Sequence, residues 1–203
     1  MDFTLIYRGC LPAATSGNPR ARDKQRIRRE LHLQMAELWK QSPSLRVFRL
    51  GEEIRKGELV GGRLEATPRD SNHSYLELGA FKLVPLVQRK IRVACAVAIT
   101  FLRRGAPVDV VHGGDLDNRL KTLLDALRMP HSLAELAEDQ PDHESDGWFF
   151  CLLEDDILIT SLSVETHQLL TPLAPGSNRN DVDLLIRIQL KPIDPTFAAL
   201  AYL

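Results

Sequence analysis

The chain has 203 residues, 44% of them hydrophobic, enough to fill a core, and its formal net charge is −1. It contains no run of about 18 apolar residues, and Met1 to Arg8 lacks the basic-then-apolar pattern of a secretory leader, so the expectation is a folded cytoplasmic protein without a membrane span. Cys10, Cys95 and Cys151 are odd in number and widely spaced, which argues against a disulfide framework or a structural zinc site.

Phe3 to Tyr7 reads as a short strand, followed by a Gly-, Pro-, Ser- and Asn-rich loop over Gly9 to Pro19. Ile27, Leu31, Met35 and Leu38 give the apolar stripe of a helix from about Arg22 to Trp39. Its first turns are crowded with Arg20, Arg22, Lys24, Arg26, Arg28 and Arg29, which oppose the positive helix N-terminus. Phosphate contact accounts for them, with Arg20, Arg22, Lys24 and Arg26 as DNA-binding candidates; a solvated face balanced by Asp23 and Glu30 accounts for them equally well. Ser42 to Gln88 holds two short alternating runs around Gly61-Gly62, a hairpin signal, and reads as an elaboration on a smaller core.

Ile91 to Leu102 alternates with a period of two and is small or apolar on both faces, which predicts a central strand. Leu116, Leu120, Leu123, Leu124 and Leu127 form the stripe of an amphipathic helix from about Leu116 to Arg128. Ser132 to Asp146 is acidic and contains Pro141, as expected of a short helix and loop outside the core. Ile157 to His167 and Asp183 to Leu190 read as strands separated by a turn-rich stretch. The mixture predicts an α+β fold in one domain over 1–203: a small mixed β-sheet packed with helices, carrying two insertions at about 42–88 and 131–150.

Charge is divided unevenly along the chain. Up to Arg104 there are 20 Lys and Arg against 10 Asp and Glu; after it there are 6 against 17, a net +10 followed by −11. Such polarity suits a basic surface for phosphates and an acidic part for a metal, unless folding interleaves the two halves.

The segment Gly113-Gly-Asp115-Leu-Asp117-Asn118-Arg-Leu-Lys121 places two carboxylates at the start of the second helix, with Lys121 one turn beyond Asp117 on the same face. A helix N-terminus keeps clustered carboxylates ionised, and a hard cation such as Mg2+ needs only a few carboxylate oxygens beside its waters. Glu154-Asp155-Asp156, just before an apolar strand, is a third carboxylate source, although neighbouring residues on a strand point oppositely. The plainer alternatives are Asp115 as an N-cap, Asp117 with Lys121 as a surface ion pair, and Glu154 to Asp156 as a turn.

The run Asp-Leu-Asp-Asn, then Lys121, then Asp125-Ala-Leu, followed later by Asp-Asp opening an apolar strand, resembles the RusA-type Holliday junction resolvase family. The likeness is sharp over 115–127, fair over 154–165 and topological elsewhere, covering about half the chain. It implies a RusA-like fold and a DNA endonuclease of recombination and repair, acting on four-way junctions as a homodimer. It also implies Mg2+, with Mn2+ as a substitute, held by Asp115, Asp117 and Asp156, and Lys121 as a further catalytic residue. Asn118 and Asp155 are supporting candidates.

The chain departs from the family in its length and in the acidic stretch between Leu127 and Glu154. An acidic loop beside a DNA cleft repels phosphates unless it points away. A nuclease for other branched or single-stranded substrates, a DNA-binding module without cleavage and an acidic binding protein are the competing expectations.

Overall fold

A computed structural model describes residues 1–14, 20–43, 45, 75–103, 115–142, 147–170 and 180–194, with only the backbone at position 115. Among these, two α-helices and seven strands form two mixed sheets. The class is therefore α+β, with two sheets where the sequence suggested one.

The larger sheet has the order β1 (Asp2–Cys10), β7 (Asp181–Pro192), β4 (Val93–Arg103), β6 (Ile159–Gln168). β1 and β4 run antiparallel to β7, and β6 runs parallel to β4. β4 is central, as its two-sided apolar pattern requires. Leu5, Tyr7, Val97, Ile99, Phe101, Leu184, Ile186 and Ile188 are buried on one face, alternating with outward residues such as Ile6, Leu185 and Arg187.

Helix α1 (Ala21–Gln41) lays Ile27, Leu31, Met35 and Trp39 into the same core. It also blunts an exposed sheet edge: Ile6 N–H donates to Gln34 Oε1 at 2.9 Å, and Gln34 Nε2 donates to Ile6 O at 2.6 Å. Helix α2 (Asp115–Leu127) adds Leu123, Ala126 and Leu127 to this core.

The second sheet has the order β2 (Leu76–Leu78), β3 (Phe81–Val87), β5 (Trp148–Leu153), with β3 and β5 parallel. A two-residue turn joins β2 to β3, with Gly79 at φ 60°. One face of the sheet sends Val84, Leu86 and Leu152 into the main core; the other forms a second cluster from Phe81, Leu83, Phe149 and Cys151 with Met129 and Leu136.

Residues 81–87 are therefore core and not an elaboration laid upon it. The acidic stretch likewise contributes Leu136 to the second cluster, through a 3-10 turn at Leu133–Leu136. The hairpin expected around Gly61-Gly62, the glycines at 113 and 114, and most of the turn-rich stretch before β7 lie outside the described residues.

The two charge halves are interleaved. Arg8 pairs with Asp183, Lys24 with Asp125, Arg28 with Glu135, Arg29 with Asp139 and Asp142, Arg89 with Asp155, and Arg92 with Asp194. Each of these cations comes from the basic half and each anion from the acidic half. At the shielded pairs of Lys24, Arg28 and Arg29 with Asp125, Glu135 and Asp139 the sequence polarity becomes neutral packing instead of two opposed fields.

Candidate functional site

Helix α2 has two unlike sides. Its inner side buries Arg119, Thr122, Leu123, Ala126 and Leu127. The Arg119 guanidinium, on a residue 4% exposed, donates to Leu11 O at 2.6 Å and to Asn180 Oδ1 at 2.7 Å. Ala14 N–H donates to Asn118 O at 3.1 Å, so the first turns of α2 are tied to the end of β1 and the start of β7. That anchoring fixes the rotation of the helix. Asp117 and Lys121, four residues apart, consequently share its exposed side, while Asn118 is half-buried. The side chain of Asp115 lies outside the described residues.

The acidic triplet leaves the end of β5 in a tight turn. Met129 N–H donates to Leu153 O at 2.8 Å, and His131 Nε2 lies 3.0 Å from Glu154 O, which tethers the segment near the C-terminal end of α2. A 3-10 turn at Asp156–Leu158 then packs against α2 and β4.

The three acidic residues divide their roles. Glu154 Oε2 accepts the Arg89 backbone N–H at 2.8 Å. Asp155 Oδ1 caps the 3-10 turn by accepting Ile157 N–H at 3.0 Å. Asp156 is exposed. The Ile157 N–H is the largest influence holding the Asp155 carboxyl below its ordinary range; with the charges of Arg89 and His131 it outweighs desolvation. Asp155 and Asp156 thus present a close carboxyl pair whose second member faces solvent.

The α1 cations have different surroundings. Lys24 Nζ lies 2.6 Å from Asp125 Oδ2. Arg26 donates to Cys10 O and leans on Tyr7, whose hydroxyl is pushed up to about 12, chiefly by burial. Arg20 and Arg22 line an open cavity of about 490 Å³ with Asp23, Leu133 and Glu138, and Arg22 is exposed. Arg28 is buried and donates to the carbonyls of Asp125, Arg128 and Glu135. Of the DNA-binding candidates, Lys24 and Arg26 are thus engaged within the fold.

No family model, no curated protein and no solved structure matches this chain.

Among the described residues, no three His, Cys, Asp or Glu side chains stand together as a ready metal site. The structure sets Asp155 beside Asp156 and leaves Asp117 and Lys121 on one exposed side of α2, but does not gather all the predicted ligands. The donor chemistry still fits a hard cation: Asp117 and Asp156 are exposed carboxylates, and Mg2+ takes one or two carboxylates beside waters and substrate phosphates. The sequence reading missed Arg89, Arg119 and His131. Arg119 was visible only as a charge on the apolar side of the helix, and Arg89 as a cation in a turn before a strand.

Proposed function

We propose that this protein is a divalent-metal-dependent endonuclease of the RusA type, cutting phosphodiesters in branched DNA, with the four-way junction as its substrate. The observation that carries the reading is the exposed stripe of α2. Asp117 and Lys121 face solvent on one side of the helix, and the turn bearing the exposed Asp156 packs against the same helix. The motif segments Asp115 to Leu127 and Glu154 to Glu165, with their resemblance to junction resolvases, supply the reaction class.

In this reading Asp115, Asp117 and Asp156 would hold Mg2+ or Mn2+, and because Asp117 lies in the first turn of α2 and the Asp156 turn is tethered near its other end, these two elements would have to draw together around the metal. The metal supplies a lowered water pKa and neutralises charge developing on the phosphate. Asp155 keeps its place as the turn's cap and so aims its neighbour. Lys121 places a fixed positive charge one helical turn from Asp117, where it offsets charge on the scissile phosphate or the departing oxygen. Arg119, from the buried side, holds the helix rotation that keeps both residues outward. A homodimer would supply two such sites to a two-fold-symmetric junction.

A second reading has one observation in its favour. The engaged α1 cations leave less positive surface than the sequence suggested, which suits a smaller or single-stranded substrate. Both readings are tested by incubating the protein with labelled four-way junction, flap, duplex and single-stranded DNA, in Mg2+ or EDTA. Paired metal-dependent nicks in the junction are expected. Preferred cutting of another substrate supports the second reading, and binding without cleavage in any metal refutes both.

A further inference from the structure

A nuclease must grip the substrate backbone near its carboxylates, and several α1 cations are committed elsewhere. Lys24, Arg28 and Arg29 sit 2.6–3.3 Å from acidic partners, with side chains 1–30% exposed. The turn joining β3 to β4, Gln88–Arg92, is built differently. We infer that Arg89 and Lys90 in this turn are the phosphate-gripping element of the candidate site, an inference that rests on the nuclease reading above.

The turn is stapled to the acidic segment. Glu154 accepts Arg89 N–H at 2.8 Å through its carboxylate and donates its own N–H to Val87 O at 2.9 Å. The turn is also internally fixed: Arg92 N–H donates to Arg89 O at 3.0 Å, and the buried Gln88 side chain donates to Pro85 O at 2.8 Å. Arg92 occupies the left-handed region at φ 57°, and its guanidinium is held by Asp194.

The two remaining cations are available in a way that Arg92 is not. The Arg89 guanidinium stands 3.9 Å from Asp155 Oδ2 with its side chain 60% exposed, and the other oxygen of that carboxylate is engaged by Ile157 N–H. So loose and solvated a pair is readily exchanged for a phosphate, which offers a guanidinium two parallel charge-assisted hydrogen bonds. Lys90, next in the turn, is exposed. The Arg89 charge therefore flanks the Asp155 carboxylate, and Lys90 follows it on the same turn, an element whose position is set by Glu154.

The test is the salt dependence of binding to a labelled four-way junction in EDTA, where cleavage does not interfere. Each phosphate contact contributes about 0.9 to the slope of log affinity against log salt. Arg89→Gln and Lys90→Gln are each expected to lower the slope by close to one contact, Arg89→Lys to keep it, and Lys40→Gln, at the far end of α1, to leave it unchanged. Thermal melts identify any variant that fails to fold; Lys90→Gln and Arg89→Lys carry the test if Arg89→Gln does. Slopes equal to wild type in both Gln variants would overturn the inference. Cleavage in Mg2+, assayed alongside, separates the two claims. A protein that cuts junctions with unchanged slopes retains the nuclease reading and loses this one; reduced slopes without wild-type cleavage do the reverse.

Discussion

The carboxylates of Asp125, Glu135, Asp139 and Asp142 and those of Asp117 and Asp156 come from the same acidic half of the chain, yet they live in different surroundings. The first group meets α1, where Lys24, Arg28 and Arg29 neutralise it and the acidic stretch becomes a packed wall. The second group faces solvent on α2 and the turn beside it. Composition cannot tell these groups apart; partners can. A carboxylate matched by a cation from a distant element holds the fold together, whereas one left outward has no such packing duty and, in the proposed reading, serves the metal.

Substitutions at the outward carboxylates sharpen the contrast most. Asp117→Asn and Asp156→Asn are each expected to reduce metal-dependent cleavage by on the order of 10²–10³-fold or more. Their unfolding free energies should stay within about 0.5 kcal/mol of wild type, because both side chains are exposed. Kinetics and urea melts on the same preparations check this, and a large stability loss would assign these carboxylates to the packed group.

Arg28→Met tests the other group. Arg28 is 2% exposed, and its removal takes the guanidinium from the carbonyls of Asp125 and Arg128 and one of two arginines from the Glu135 carboxylate, which keeps Arg128. A loss of about 3 kcal/mol is expected in urea unfolding. Asp139→Asn, which weakens the paired hydrogen bonds from Arg29, should cost about 1–2 kcal/mol.

The smallest effect concerns pH. Burial chiefly lowers the His32 pKa; Arg29 adds to this and the Asp142 charge opposes it. The unfolded chain therefore binds that proton first. Stability is full above about pH 6.5 and declines below it, by at most about 1.4 kcal/mol per pH unit from this group. At Asp139 desolvation is the largest single influence and raises the pKa, but the Arg29 and Gln25 hydrogen bonds outweigh it. The contribution of Asp139 is present above its ordinary 3.8 and is lost as pH falls through the lower folded value. Urea midpoints from pH 8 to 3 read both, with the His32 component absent in His32→Gln.

Periodicity made much of this legible. The helix stripes of Ile27 to Leu38 and Leu116 to Leu127, the alternation over Ile91 to Leu102, and the strands near Phe3, Ile157 and Asp183 all correspond to elements of the structure. The second sheet was hidden because strands buried on both faces lack alternation, as in Trp148 to Leu153, and because Pro85 argues against a central strand. Ion pairs joining residues about a hundred positions apart leave no local trace, so the fate of the α1 cations was not readable. Nor was the division between Asp155 and Asp156, which depends on a turn that folds the first carboxylate back onto Ile157 N–H.

The most direct test is a calorimetric titration with Mn2+ of the wild-type protein, Asp117→Asn, Asp156→Asn and Asp139→Asn. The account predicts a binding isotherm for wild type that survives in Asp139→Asn, whose carboxylate serves packing, and is lost or strongly weakened in Asp117→Asn and Asp156→Asn. A wild-type protein that binds no metal, or one whose affinity is indifferent to the two outward carboxylates, would contradict it.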